Sequence, residues 1–169
     1  MTTDPTSRTA AGTLPGPEAA AGTETDTSQR REQSGSGVDG TPAPNVDSEQ
    51  RLPFRAPIDA YGNGGFRFAD IGHRGGLLIL PDGMRAWPVT TPQEFTASAF
   101  AAAIAASKDI EVFLLGTGQE HHFLAPELLR QLRADGLRVE TMTTGAACRT
   151  YNVLLAEQRQ VSAGLLATV

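Results

Sequence analysis

The stretch from Thr143 to Val161, TTGAACRTYNVLLAEQRQV, decides how the chain is read. It gathers a helix start, the only cysteine, a Tyr-Asn pair and an interior Glu-x-Arg into one short run. Thr143 and Thr144 offer a hydroxyl ahead of the first turn, where backbone N–H groups have no intrahelical acceptor. From Ala146 to Gln158 there is neither Pro nor Gly, so the spacing predicts a helix. Cys148, Tyr151 and Leu155 then share one stripe at i, i+3 and i+7, with Asn152 beside them, and the thiol and phenol turn toward the buried face. The following QVSAGLLATV predicts a last strand that returns the chain to the core.

Working upstream, Leu137 to Met142 (LRVETM) reads as a strand feeding that helix. Ala125-Pro126-Glu127 opens a second helix whose stripe is Leu128, Leu129 and Leu132 and whose natural end is Gly136. Glu111 to Leu115 (EVFLL) is nearly all hydrophobic, the pattern of a central strand covered on both faces. Strand, helix, strand, helix, strand is α/β order, with right-handed crossovers where strands are parallel. Before it, Thr91-Pro92-Gln93-Glu94 has the form of a capping box with Pro at the first position, which predicts a helix running on through FTASAFAAAIAAS.

The first half is read as strands. Arg55 to Ala69 is taken as a loop with Gly62, Asn63, Gly64 and Gly65 leading into a strand in which Phe66 and Phe68 share a face. Leu77 to Leu80, the turn Pro81-Asp82-Gly83 and Met84 to Val89 form a β-hairpin with Trp87 packing at its end. Three short strands thus precede any helix. The expected fold is α/β, a mixed β-sheet with helices against it, preceded by a β-hairpin layer.

Composition divides the chain. Residues 1 to 52 hold no aromatic residue and only Leu14, Val38, Val46 and Leu52 of the branched aliphatics. Such a segment cannot bury enough apolar surface to offset the entropy of ordering it, so a disordered polar tail is expected over 1–52 and a folded domain over 53–169. A domain of that size buries roughly 60–70% of its unfolded surface, enough for a core without staples. The net charge of −5 lies mostly in the tail, and neither part has the basic excess of a nucleic-acid binder. One cysteine excludes an intrachain disulfide and any multi-cysteine metal site, and fits a reducing compartment. No apolar run reaches the roughly 18–20 residues that span a bilayer, and no signal or transit pattern opens the sequence. The expectation is a cytoplasmic protein. The single lysine, Lys108, hints at a GC-rich bacterial genome.

Three groups of residues invite a chemical reading. GTGQEHH (116–122) follows the central strand as a phosphate-cradling loop would, and Glu140 lies at about the distance of a ribose-binding acid. However, His121 stands where the third glycine belongs and the next helix starts several residues later, near Pro126, so a tight turn is the reading adopted. His121 and His122 with Glu120, and His73 elsewhere, do not match a metal-site spacing, because adjacent side chains of an extended segment point apart. No metal and no cofactor are expected. Cys148, in the first turn of a helix beside Arg149, could be an activated nucleophile or a small buried hydrophobe, and no histidine lies near it in sequence. Glu157 and Arg159 mark the polar end of the helix and the turn into the last strand. Paired carboxylates, a nucleophile elbow and an aromatic-plus-basic ladder are all missing.

EVFLLGTG, a Leu-rich helix ending in Gly136, and RVETMTTGAACRTYNVLLAEQRQVSAGLL together resemble the Mth-type domain of unknown function. That is the family of mitochondrial complex I (NADH:ubiquinone oxidoreductase) assembly factor 3 and of an adipogenesis-associated cytosolic protein. The Gly-Phe-Arg-Phe strand, the strand pair around GGLLILPDGMRAWPV and the helix introduced by Thr-Pro match in order, over about Ile58 to Leu166. The resemblance implies a three-layer α/β fold with a central mixed sheet and a β-hairpin packed on one side. It also implies a non-catalytic binding or assembly-factor role with respiratory-complex subunits as protein partners, near the inner membrane. No catalytic residues carry over from it. Departures are the long polar tail and an ending in Ala-Thr-Val where the family often has a proline. The alternative is a small-ligand-binding protein or thiol enzyme that uses the rim around Gly116–Gly118 and Cys148. Under either reading the candidate binding rim is Gly116, Thr117, Gly118, Thr144, Cys148, Tyr151 and Asn152.

Overall fold

The computed structural model describes residues 51–169. The tail expected over 1–52 lies outside the described residues except for Arg51 and Leu52. Leu52 exchanges backbone hydrogen bonds of 2.9 Å with Met84 in both directions, so the described chain begins against the edge of a sheet.

Two sheets form. The smaller is an antiparallel meander, β1 (Ala60–Gly62), β2 (Gly65–Phe68) and β3 (Ile71–Arg74). The larger has five strands, β4 (Gly76–Leu80), β5 (Gly83–Trp87), β6 (Val112–Gly116), β7 (Val139–Met142) and β8 (Val161–Leu165), in the order β5-β4-β8-β6-β7. β8 pairs antiparallel with β4 and parallel with β6, so the last strand of the chain sits in the middle of a mixed sheet. The helices are α1 (Ala101–Ala105), α2 (Pro126–Ala134) and α3 (Thr144–Ala156).

Side-chain alternation along the strands sorts the core into two layers. Leu77, Ile79, Leu114, Val161, Ala163 and Leu165 face α3 and the meander, meeting Ala147, Cys148, Tyr151, Phe66 and Phe68. Leu78, Leu80, Trp87, Phe113 and Leu115 face α1 and α2, meeting Phe100, Ala103 and Leu132. The three-layer mixed α/β architecture is the one expected from the sequence.

Two placements within it differ. The Leu77–Val89 hairpin belongs to the central sheet, and the covering layer is built by Ala60–Arg74, so among the described residues five strands precede the first helix rather than three. Its first turn is Asn63-Gly64, with φ of 50° and 78°, the left-handed pair that a two-residue hairpin needs. The helix expected from Thr91 onward is also broken. Glu94 does accept from the Thr90 and Thr91 N–H groups at 2.6 and 3.0 Å, but only a 3₁₀ turn, Pro92–Glu94, follows. Phe95 and Thr96 are extended, another 3₁₀ turn spans Ala97–Phe100, and α1 is a single short stretch. Aromatic packing competes successfully with helix propensity here. Phe95 stacks on Trp87 at 6.0 Å, Phe100 meets both, and the Trp87 indole N–H donates to the Ala99 carbonyl.

Candidate functional site

β6 and β7 are parallel neighbours whose exits run to opposite faces, β6 toward α2 and β7 into α3. A crevice at the carboxyl ends of such strands is where α/β proteins tend to bind ligands. Here the crevice is laced shut. The Thr117 N–H donates to Met142 C=O at 2.9 Å, and Thr144 N–H to Gly118 C=O at 2.8 Å. The Thr144 hydroxyl, fully buried, donates to Leu166 C=O at 2.7 Å and accepts from Gly118 N–H at 3.0 Å. The Thr117 hydroxyl donates to Glu120 C=O at 2.7 Å and accepts from His122 N–H at 3.0 Å. A Cβ on Gly116 would lie 3.0 Å from the Thr144 Cα, which is why a residue without a side chain ends β6.

Cys148, Tyr151 and Asn152 lie on another side of α3, against the segment that precedes the meander. Asn152 pairs with Ile58 as a neighbouring strand would, its Oδ1 accepting from Ile58 N–H and its Nδ2 donating to Ile58 C=O, each at 2.8 Å. The Tyr151 hydroxyl donates to Ala56 C=O at 3.2 Å, and burial pushes this phenol well above its ordinary range. Cys148 is 2% exposed, and burial pushes its thiol up to about 12, against a smaller opposing pull from Arg149. A thiol held neutral in this way is a poor nucleophile at neutral pH.

The structure therefore gathers Gly116, Thr117, Gly118 and Thr144 into one laced junction and sets Cys148, Tyr151 and Asn152 into a second contact. It does not bring all seven into one open cavity. Open surface at the rim comes from neighbours of the candidate residues in the 116–122 loop and the start of α3, together with Tyr61 and the last residues, which sequence reasoning missed. Tyr61, 42% exposed, lies over Gly145, where a Cβ would come 2.5 Å from its hydroxyl, and Arg149 donates to that hydroxyl at 3.3 Å. With Gln119, Thr143 and Thr168 they line a hollow of about 260 Å³. Gln119, Glu120, His122 and the last residues line a second, of about 330 Å³. The overlooked signal was Asn63-Gly64, which marks a hairpin and thereby places Tyr61 opposite Phe66.

The remaining candidates are dispersed. His121 shares a hydrogen bond of 2.9 Å with Thr141, and its ring packs on Phe123. His73 is buried, with Nε2 2.8 Å from Gly76 C=O. Among the described residues no three His, Cys, Asp or Glu side chains group as metal ligands. Glu157 caps α3, Gln158 turns in the left-handed region, and Arg159 pairs with Glu111, which holds that carboxyl below its ordinary value. No helix among the described residues is long and apolar enough to cross a membrane.

Comparison with known proteins gives consistent results. The family model described as "Protein of unknown function (DUF498/DUF598)" matches residues 58–166. A crystal structure of an outer membrane protein from Bartonella henselae is 48% identical, with a TM-score of 0.66, covering 70% of this chain and 99% of that one. The solution structure of a Mth938-like domain from Bordetella pertussis is 34% identical, with a TM-score of 0.58, covering 66% and 85%. Among curated proteins, NADH dehydrogenase [ubiquinone] 1 alpha subcomplex assembly factor 3 of Mus musculus is 30% identical over 118 residues. That match covers 70% of this chain and 64% of the mouse protein.

Proposed function

This chain belongs to the DUF498/DUF598 family and has its Mth938-like fold, and on that premise we propose that it is a non-catalytic protein-binding domain with an assembly-factor role. The observation that carries the proposal is the relationship to the mouse assembly factor, whose name attaches it to NADH dehydrogenase. The partners are accordingly subunits of the respiratory NADH:ubiquinone oxidoreductase, met in the cytoplasm at the face of the inner membrane. The laced junction supports the same reading. Its hydroxyls are satisfied by backbone groups, and the Cys148 thiol in the second contact of α3 is buried and neutral.

The working surface is the outer shell of the rim, Tyr61, Gln119 and Arg149. An aromatic body with a polar tip beside a guanidinium is the residue chemistry enriched at protein interfaces. The rival reading, a small ligand or a thiol reaction at Gly116–Gly118 and Cys148, would use groups that are already bonded or desolvated.

Quantitative co-purification tests this. The tagged full chain would be recovered from gently solubilised bacterial cells that carry the respiratory enzyme, beside an Arg149→Glu variant of equal thermal stability. Stoichiometric recovery of the enzyme's subunits, lost in the variant, is the expected result. Recovery of the chain without them would overturn the proposal.

A further inference from the structure

β7 is the last strand of the five-stranded sheet, and among the described residues nothing pairs with its outer side. The carbonyls of Arg138 and Met142 accept from Phe113 and Thr117 of the β6 side, so by strand alternation the N–H and C=O groups of Val139 and Thr141 point away from the sheet. A row of unpaired backbone groups is a template for another strand.

The side chains along this edge are self-complementary. Arg138 and Glu140 flank Val139, and neither has a salt-bridge partner among the described residues. A two-fold axis through Val139 would pair Val139 with itself in a doubly bonded antiparallel contact and set Arg138 opposite Glu140 of the second copy, twice. Moving the axis one residue, to Glu140, would set two carboxylates opposite each other, which is unfavourable. Charge thus selects one register.

The same axis brings a knob to a hollow. Phe123 is 83% exposed and is held by His121 beside Thr141, at the carboxyl end of β7. Around the two-fold, Thr141 falls opposite Leu137 of the other copy, next to a hollow of about 610 Å³ lined by Arg133, Gly136, Arg138, Val139 and Glu140. Of its lining, Val139 packs in the α2 layer, on the face of the sheet that Thr141 shares, while Arg138 and Glu140 alternate onto the other, so the hollow lies along the edge itself. Arg133, without an acidic partner among the described residues, offers a guanidinium to the incoming ring.

We propose that the chain forms a two-fold dimer through antiparallel β7–β7 pairing, giving a continuous ten-stranded sheet with each Phe123 seated in the other copy's Arg133–Gly136 hollow. Sedimentation velocity of the full chain over a concentration series tests it, with circular dichroism confirming that each variant is folded. The expected result is a species of twice 17.8 kDa. Glu140→Arg and Arg138→Glu should each weaken self-association about tenfold or more, because like charges then face each other. An equimolar mixture of the two should dimerise again, since every facing pair becomes opposite in sign. Phe123→Ala should weaken the dimer on its own. A monomer at all concentrations, a mixture that fails to associate, or variants that dimerise as the parent does would each overturn the proposal.

Discussion

The carboxyl-end junction and the β7 edge lie on the same sheet and treat polar groups in opposite ways. At the junction Thr117 and Thr144, and in the second contact of α3 Asn152, spend their side chains on backbone groups of the chain itself. At the edge the backbone groups of Val139 and Thr141 have no partner among the described residues, and Arg138 and Glu140 beside them form no ion pair there. The threonines and the asparagine of the candidate rim are thus closed in this fold, while Glu140 and the histidines of the 116–122 loop stay wholly or partly exposed. A satisfied buried polar group stabilises by being costly to disturb, whereas an unsatisfied exposed one is available to a partner.

That contrast can be broken most forcefully at Gly116. Gly116→Ala drives a Cβ to 2.9–3.0 Å from the Leu165 and Thr144 side chains and the Thr144 backbone. Chemical denaturation should show a loss of about 3 kcal/mol, the upper end of overpacking costs. A loss below ~0.5 kcal/mol would mean the junction is loose.

Asn152→Ala removes both bonds to Ile58 and should cost about 2 kcal/mol, because it strands a partly buried N–H and C=O. Glu140→Ala, on the edge, should leave the unfolding midpoint of the monomer nearly unchanged. Equal losses from the two variants would erase the distinction between closed interior contacts and open edge.

The smallest effect concerns Glu94. Its carboxyl is held below its ordinary value of 4.5, first by the backbone N–H groups of Thr90 and Thr91 and then by the Thr90 hydroxyl. A depressed carboxyl contributes stability that is present above the unfolded value and is lost as pH falls through the folded one. Glu94→Gln should therefore flatten the decline in thermal midpoint below pH 4.5 and do little at neutral pH. An unchanged acid limb would show that Glu94 is not tied to that turn.

Local signals made much of this legible. Thr143 caps α3, Pro81-Asp82 turns between β4 and β5, and Pro126 opens α2, all from residues within a few positions of one another. Hydrophobic content alone identified β6 as an interior strand covered on both faces, although the middle position belongs to β8. The breaks in Thr91–Ser107 were not legible, since Phe95 leaves the helix to meet Trp87, and a capping box says nothing of that contact. The candidate rim was half legible for the same reason. Helical spacing put Cys148, Tyr151 and Asn152 on adjoining positions, but their partners Ala56 and Ile58 are more than ninety residues away. Thr144 looked like a binding hydroxyl because its acceptor, Leu166 C=O, comes from the far end of the last strand.

Cys148 offers the most direct test of whether the inner residues hold the domain closed. As the single cysteine it reports alone, and iodoacetamide labelling of the folded full chain at neutral pH measures its access. With the thiol pushed up to about 12 and its side chain in the core, labelling should run at least ~100-fold slower than in the urea-unfolded chain, limited by opening of the fold. A rate equal to or faster than that of the unfolded chain would contradict the closed packing of α3 and return Cys148 to the surface as a reactive group.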